Sequence, residues 1–412
     1  MDTLAIGRRI AYWRARRRMT HEVLASLLGR SVRWVEDLEG GRRQSDPRLS
    51  VLESVAGALK IPLQSLLADA PTARCVDQVE LGLIGSALQH HDVITGTASP
   101  GRGPLPVAVL RTRLVHARSA FQAGRFGSVG GLLPDLVLDA NQSAALLEGD
   151  ERLDACRVLA LALELAEAAA IKAGDTDLAV LAGHRAVVAA ERSEDPVIKA
   201  SSARHLADAM TSHGQPGPAA AFALAAADRL GPDLLAHGGS PTSTSVLGML
   251  YLKAGLAQAA VAEAVGERPA AEAVFDLLDE ADTHAARLGS DGNELWTAFG
   301  PTNCSLYRVA AHVQLVEGAR AVEVAQTIPA QAAAALPRER RAHLLADVAH
   351  GYTQAGRYHE AVTTVLRAEA EAPEEVRCRP RTRRLVDELQ LLAPTSVQGR
   401  LRVLADRCGL PG

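Results

Sequence analysis

Between residues 4 and 67 apolar positions recur at helical spacing, and small punctuating residues break them into five runs. The runs read as helices at roughly Leu4–Arg17, His21–Leu28, Val32–Glu39, Leu49–Leu59 and Leu63–Leu67. Ile6, Ile10 and Trp13 on the first, Leu24 and Leu28 on the second, Val35 and Leu38 on the third, and Leu52, Val55 and Leu59 on the fourth would close one small core. The punctuation is densest in MTHEVLASLLGRSVRWVEDLEGGRR (19–43). Thr20 predicts an N-cap and Gly29 a stop, then Ser31 predicts a second N-cap and Gly40 with Gly41 a second stop. Two short helices on a glycine-containing turn make a helix-turn-helix.

Beyond residue 68 the pattern stays helical and never alternates as a strand does. DAPTARC (69–75) reads as linker, Val76–Gln89 as one amphipathic helix, and ITGTASPGRGPLP (94–106) as a Gly/Pro-rich break. These boundaries divide the chain into a head (1–68), a linker with one helix (69–106) and a body (107–412). Within the body, helical pairs meet at turns around Gly124, Gly174, Gly214, Gly266, Gly318 and Gly356, 38 to 52 residues apart. One such pair cannot bury its own apolar face, so a series of them predicts a helical solenoid. The expected fold class is all-α.

Composition and charge sharpen this reading. Hydrophobic residues make up 48% of the chain but aromatics only 3%, a balance suited to close packing of alanine-rich helices. Residues 1–60 carry 12 Lys+Arg against 7 Asp+Glu, and the remaining 352 carry 32 against 41. A basic head on an acidic body suits local attraction to a polyanion. No run of 18 uncharged apolar residues predicts a membrane span, and the N-terminus lacks the order of a secretory signal. The five scattered cysteines form no CxxC pair and predict neither a disulfide framework nor a zinc site, so a cytoplasmic protein is expected. HExxH, GxxxxGK[ST], GxSxG and GxGxxG motifs are absent, and His90, His91 and Asp92 stand alone as ligand types beside a break. Catalysis, cofactors and metal are therefore not expected.

Residues 4–67 resemble the Cro/C1-type helix-turn-helix family in their spacing. That resemblance implies a structural Arg14–Glu39 pair between the first helix and the end of the third. It implies a phosphate contact at His21 and a DNA-facing surface made of Ser31, Val32, Arg33, Trp34, Glu36 and Asp37, with Arg42 and Arg43 on the backbone after it. Arg33 has the chemistry to bridge guanine O6 and N7, and Val32 to meet a thymine methyl. Glu36 and Asp37 depart from the family pattern by adding negative charge. LLADVAHGYTQAGRYHEAVTTVLRAEAEAP resembles a tetratricopeptide repeat through Ala349, Tyr352, Gly356, Tyr358, Ala361, Ala368 and Pro373. Head and body together resemble a set of actinobacterial regulators and the peptide-sensing quorum regulators of Gram-positive bacteria.

That architecture implies a regulator binding double-stranded DNA as a homodimer, with a peptide or a small anionic ligand in the concave groove of the repeats. Counting back from each turn glycine places Arg111, Arg118, Glu164, Arg204, Asp208, Lys253, Arg308, His312, His343 and His350 on that surface. Trp296 and Asn303 in WTAFGPTN join them, the asparagine being able to donate and accept at once. The expected ligand position is near Trp296, Asn303, Arg308 and His312. The same segments also allow a second reading, a repeat scaffold whose head serves dimerisation or partner docking.

Overall fold

The computed structural model describes residues 3–17, 19–41, 48–61, 63–67, 78–90, 103–266 and 268–410, and no strand occurs among them. The chain divides into two compact units, Met1–Arg74 and Cys75–Gly412.

The first unit contains α1 (Thr3–Arg16), α2 (His21–Leu28), α3 (Val32–Glu39), α4 (Leu49–Leu59) and α5 (Gln64–Leu67). The caps are local chemistry. Thr20 accepts from the Val23 amide at 3.3 Å, and Ser31 from the Trp34 amide at 3.2 Å. Gly29 ends α2 in the left-handed region, φ 61°. Ile6, Ile10, Leu24, Val35, Leu52, Val55, Leu59 and Leu66 form the core with Trp13 and Leu38. Helix α1 meets the end of α3 so closely that a Cβ on Gly7 would lie 2.4 Å from the Glu39 carbonyl oxygen. A bidentate pair fixes the same junction, with Arg14 Nε donating to Glu39 Oε1 at 2.6 Å and Nη2 to Oε2 at 2.9 Å.

The second unit begins with α6 (Gln78–Leu88), the helix expected in a linker. Leu81, Ile84, Ala87 and Leu88 bury it in the main core of this unit, so its apolar face has a partner and it does not act as a spacer. Seven helical hairpins follow. They are α7 (Val107–Gln122) with α8 (Phe126–Leu146), α9 (Gly149–Ala173) with α10 (Thr176–Arg192), and α11 (Pro196–Ser212) with α12 (Pro216–Leu235). Next come α13 (Pro241–Val265) with α14 (Arg268–Leu288), and α15 (Pro301–Gln314) with α16 (Gly318–Thr327). After the short α17 (Ala330–Ala335), α18 (Arg338–Gln354) pairs with α19 (Tyr358–Glu371). The short α20 (Pro373–Arg377) then leads to α21 (Pro380–Leu392) and α22 (Thr395–Arg407).

Five of the six expected turn glycines are left-handed, with φ between 70° and 84°. Gly318 is not. Val316 takes the left-handed position there (φ 60°), and Gly318 instead lets α16 approach α18, since a Cβ on it would lie 2.4 Å from the Gly351 carbonyl oxygen. Helix α13 is long and apolar enough to cross a membrane, but 67% of its apolar window is buried within this unit. Cys156, Cys304 and Cys408 are free and buried. Cys378 is disulfide-bonded, which corrects the expectation of a chain without disulfides, because sequence spacing does not report spatial approach.

The first helices of successive hairpins pack side by side, and α18 also meets α7, so the inner row closes on itself. The closure is tight. The Gly127 amide donates to Glu374 Oε2 at 2.8 Å, and a Cβ on Gly124 would lie 2.6 Å from the Ala372 Cβ. Lys172 bridges the seam, its Nζ 2.5 Å from Glu339 Oε1 and 2.7 Å from Glu375 Oε2. The expected open groove is thereby a cavity inside a ring of helices.

Candidate functional site

In the first unit, the Ser31 cap starts α3 with Arg33 and Glu36 exposed and Val32, Trp34 and Asp37 half-buried. Val32 and Trp34 rest against the core, which orients the helix and leaves Arg33 and Glu36 to project. Arg30 stacks on the outer side of Trp34, its Cζ 5.5 Å from the ring centroid. His21 is a third exposed, and its Nε2 lies 3.0 Å from Glu39 Oε2, the carboxylate that also holds Arg14. Arg42 and Arg43 lie outside the described residues.

In the second unit the ring surrounds a partly open cavity of about 480 Å³, within the roughly 300–1,000 Å³ range of small-molecule sites. Of the residues expected in the groove, Arg118, Arg204, Asp208, Trp296, Asn303 and His343 line it, as does Lys253. Arg308 and His312 do not. The α15 positions that face inward are Asn303, Leu306, Tyr307, Ala310 and Gln314, and a residue one place along a helix turns about 100° away. Arg308 instead pairs with Asp279 and Asp282 of α14, and His312 lies 2.7 Å from Glu317 and against the Phe275 ring. Arg111 shares a face with Arg118 but sits two turns further out, paired with Asp154 at 2.7 Å. His350 is one helical step beyond the lining residues His343 and Asp347 and does not reach the cavity.

Several lining residues had no place in the sequence reading: Lys172, His205, Tyr307, Glu339, Arg340, Arg379, Arg381 and Arg384. The basic run RCRPRTRR (377–384) was a signal for the last three, but only closure of the ring turns it inward.

The wall is strongly charged. Arg118 (4% exposed) donates to Glu164 at 3.1 Å, and Glu164 also accepts from Ser201 and Ser202. Burial pushes the Arg118 pKa down to about 10. Lys253 meets Asp208 at 2.6 Å, and Arg379 meets Glu375 at 2.8 Å. Burial holds Glu167 well above the usual carboxylate range and His205 well below the usual imidazole range. The two meet at 2.6 Å, Nδ1 to Oε2.

One rim of the cavity is a strained loop. Leu295, Trp296 and Ala298 all have positive φ (46°, 57° and 49°), a conformation costing on the order of 1–3 kcal/mol per residue. Reciprocal amide bonds hold it down, Gln122 to Asn293 at 2.9 Å and Asn293 to Gln122 at 3.0 Å. Buried Phe299 anchors it from below. The loop seats the Trp296 ring 5.2 Å from the Arg118 Cζ. Asn303 is fully buried, its Nδ2 3.6 Å from Met249 Sδ and its Oδ1 without a partner.

No protein-family model and no curated protein matches the chain. Among solved structures it is similar to PlcR of Bacillus thuringiensis, crystallised with the peptide PapR7 and DNA, at 14% identity and a TM-score of 0.31. The similarity covers 69% of this chain and 96% of that one.

Proposed function

We propose that the protein is a DNA-binding transcriptional regulator whose helical body senses a ligand, a peptide or a small molecule, and that it acts as a homodimer. The outward face of α3 carries this reading. A capped helix with Arg33 exposed at its first turn, on a unit rich in arginine, has the form that enters a major groove. Arg33 would read a guanine edge, while His21 acts in positioning Glu39 and thus α3. A twofold pair of heads would meet half-sites roughly 34 Å apart. The partly open cavity of the body supplies the place for a ligand, which alters DNA binding only as far as it prefers one arrangement of the body over another.

The test is a gel shift of the pure protein on its own upstream region at two salt concentrations, with Arg33→Ala beside wild type. Arg33→Ala is expected to lose about 1–3 kcal/mol on the specific site and little on random DNA. Equal affinity of wild type for specific and random DNA would overturn the reading. Glu36, exposed beside Arg33, favours the second reading, a scaffold whose head docks a basic partner. Under that reading Glu36→Gln leaves DNA retention nil rather than strengthening it.

A further inference from the structure

We propose that the cavity is built for a compact polyanion, a small molecule bearing two or three negative charges of phosphate or carboxylate type, with Arg204 as its anchor. The inference rests on the body being the sensory half of the proposed regulator, and it replaces an unspecified ligand with a chemical class.

The charge count comes first. Eight permanently cationic side chains line the cavity, from Arg118 on α7 to Arg384 on α21, against three carboxylates, Asp208, Glu339 and Asp347. Glu164, Glu167 and Glu375 behind the wall raise the carboxylates to six, still two short.

The deficit has an address. Arg204 is 4% exposed, its Nε has no hydrogen-bond partner, and among the described residues no carboxylate lies within ion-pair distance of it. Asp208 and Glu167 act on it only at a distance, and a buried guanidinium that no carboxylate contacts is costly in a protein interior. An entering anion would relieve it. Around Arg204 the neighbouring cations Arg118 and Lys253 each keep one carboxylate partner, Glu164 and Asp208, and are also held in place by aromatic rings. The Trp296 ring fixes Arg118, and the Tyr307 ring, 5.5 Å from Lys253 Nζ, fixes the lysine. The Tyr307 hydroxyl makes no hydrogen bond, and His205 Nε2 makes none either, its nearest carboxylate oxygen being Glu164 Oε2 at 3.5 Å. A long peptide fits this place less well, because the Lys172 bridge to Glu339 and Glu375 closes the seam through which an extended chain would run.

Calorimetric titration of the full chain tests this, with inorganic pyrophosphate and citrate as probes and trehalose as the uncharged control. One site per chain is expected for pyrophosphate, citrate or both, and none for trehalose. The preferred probe assigns phosphate or carboxylate chemistry. Arg204→Met should weaken the preferred probe at least tenfold, about 1.4 kcal/mol, while Arg111→Ala, outside the cavity, binds as wild type. Should Arg204→Met fail to fold, Arg384→Ala, an exposed lining residue, takes its place with a loss of several-fold. Absence of binding by both probes, or undiminished binding by the cavity variant that folds, overturns the proposal, as does tight binding of trehalose. Gel shifts on the same samples keep the two readings apart. Anion binding without DNA binding defeats the regulator and keeps the site, and the reverse result defeats the site alone.

Discussion

Acid should destabilise the second unit through His350, and the size of the effect follows from its surroundings. Its Nε2 is buried without a partner. Burial lowers its pKa to about 4, with Arg381, Arg379 and Arg384 adding to the shift and Asp347 opposing it. The unfolded chain holds the ordinary value, about 6.5. Between these values the unfolded state binds the extra proton, so folding stability is complete above pH 6.5 and is lost as the pH falls towards 4. The whole difference corresponds to about 3 kcal/mol, of which about 2 kcal/mol is lost by pH 5. His350→Leu removes the titration and keeps an apolar group in the site. Guanidinium unfolding of both proteins at pH 7.5 and pH 5, followed by circular dichroism, isolates the residue. Other buried histidines, such as His205 and His284, titrate in both proteins and cancel in the comparison. The variant should gain about 2 kcal/mol on wild type between the two pH values. Equal losses would refute the reasoning.

Three further outcomes are expected. Glu39→Ala frees the Arg14 guanidinium and His21 together. It should cost the first unit about 2–3 kcal/mol and lower the head transition in a calorimetric melt by roughly 10 °C. Gly248→Ala puts a Cβ 2.0 Å from the Phe299 ring, which is fully buried and has nowhere to turn. A loss of about 1–3 kcal/mol in urea unfolding is expected. Lys172→Met leaves Glu339 and Glu375 buried without their shared cation. Denaturant melts should show about 3–5 kcal/mol lost, and Lys172→Arg should recover part of it.

The head was legible because its signals are local. Thr20, Ser31 and Gly29 cap and stop helices through atoms no more than four residues away, so sequence order and spatial order agree. The hairpins of the body were legible for the same reason at their glycine turns. The seventh was not, because Ala393 and Pro394 connect it without glycine. The cavity was legible in part. Arg118, Arg204 and Asn303 follow from counting along helices, whereas Arg379 and Arg381 enter only after the chain has come full circle. The exclusion of Arg308 and His312 depends on a single residue's rotation of α15, finer than a turn glycine can register. The contact of His21 with Glu39 was not legible, because the two lie eighteen residues apart.

Closure also changes how the body must be made. In an open repeat array each hairpin leans only on its neighbours, so it can nucleate early and ends can be trimmed or extended. Here Lys172 waits for Glu375, 203 residues later, and the Gly127 amide waits for Glu374, 247 residues later. Contacts of such sequence separation are slow to form. A nascent chain that has released the first hairpins therefore carries an unmatched seam, with a buried-type lysine still in water, until the sixth hairpin is out. The number of inner helices is also fixed: inserting or deleting one would open the circle.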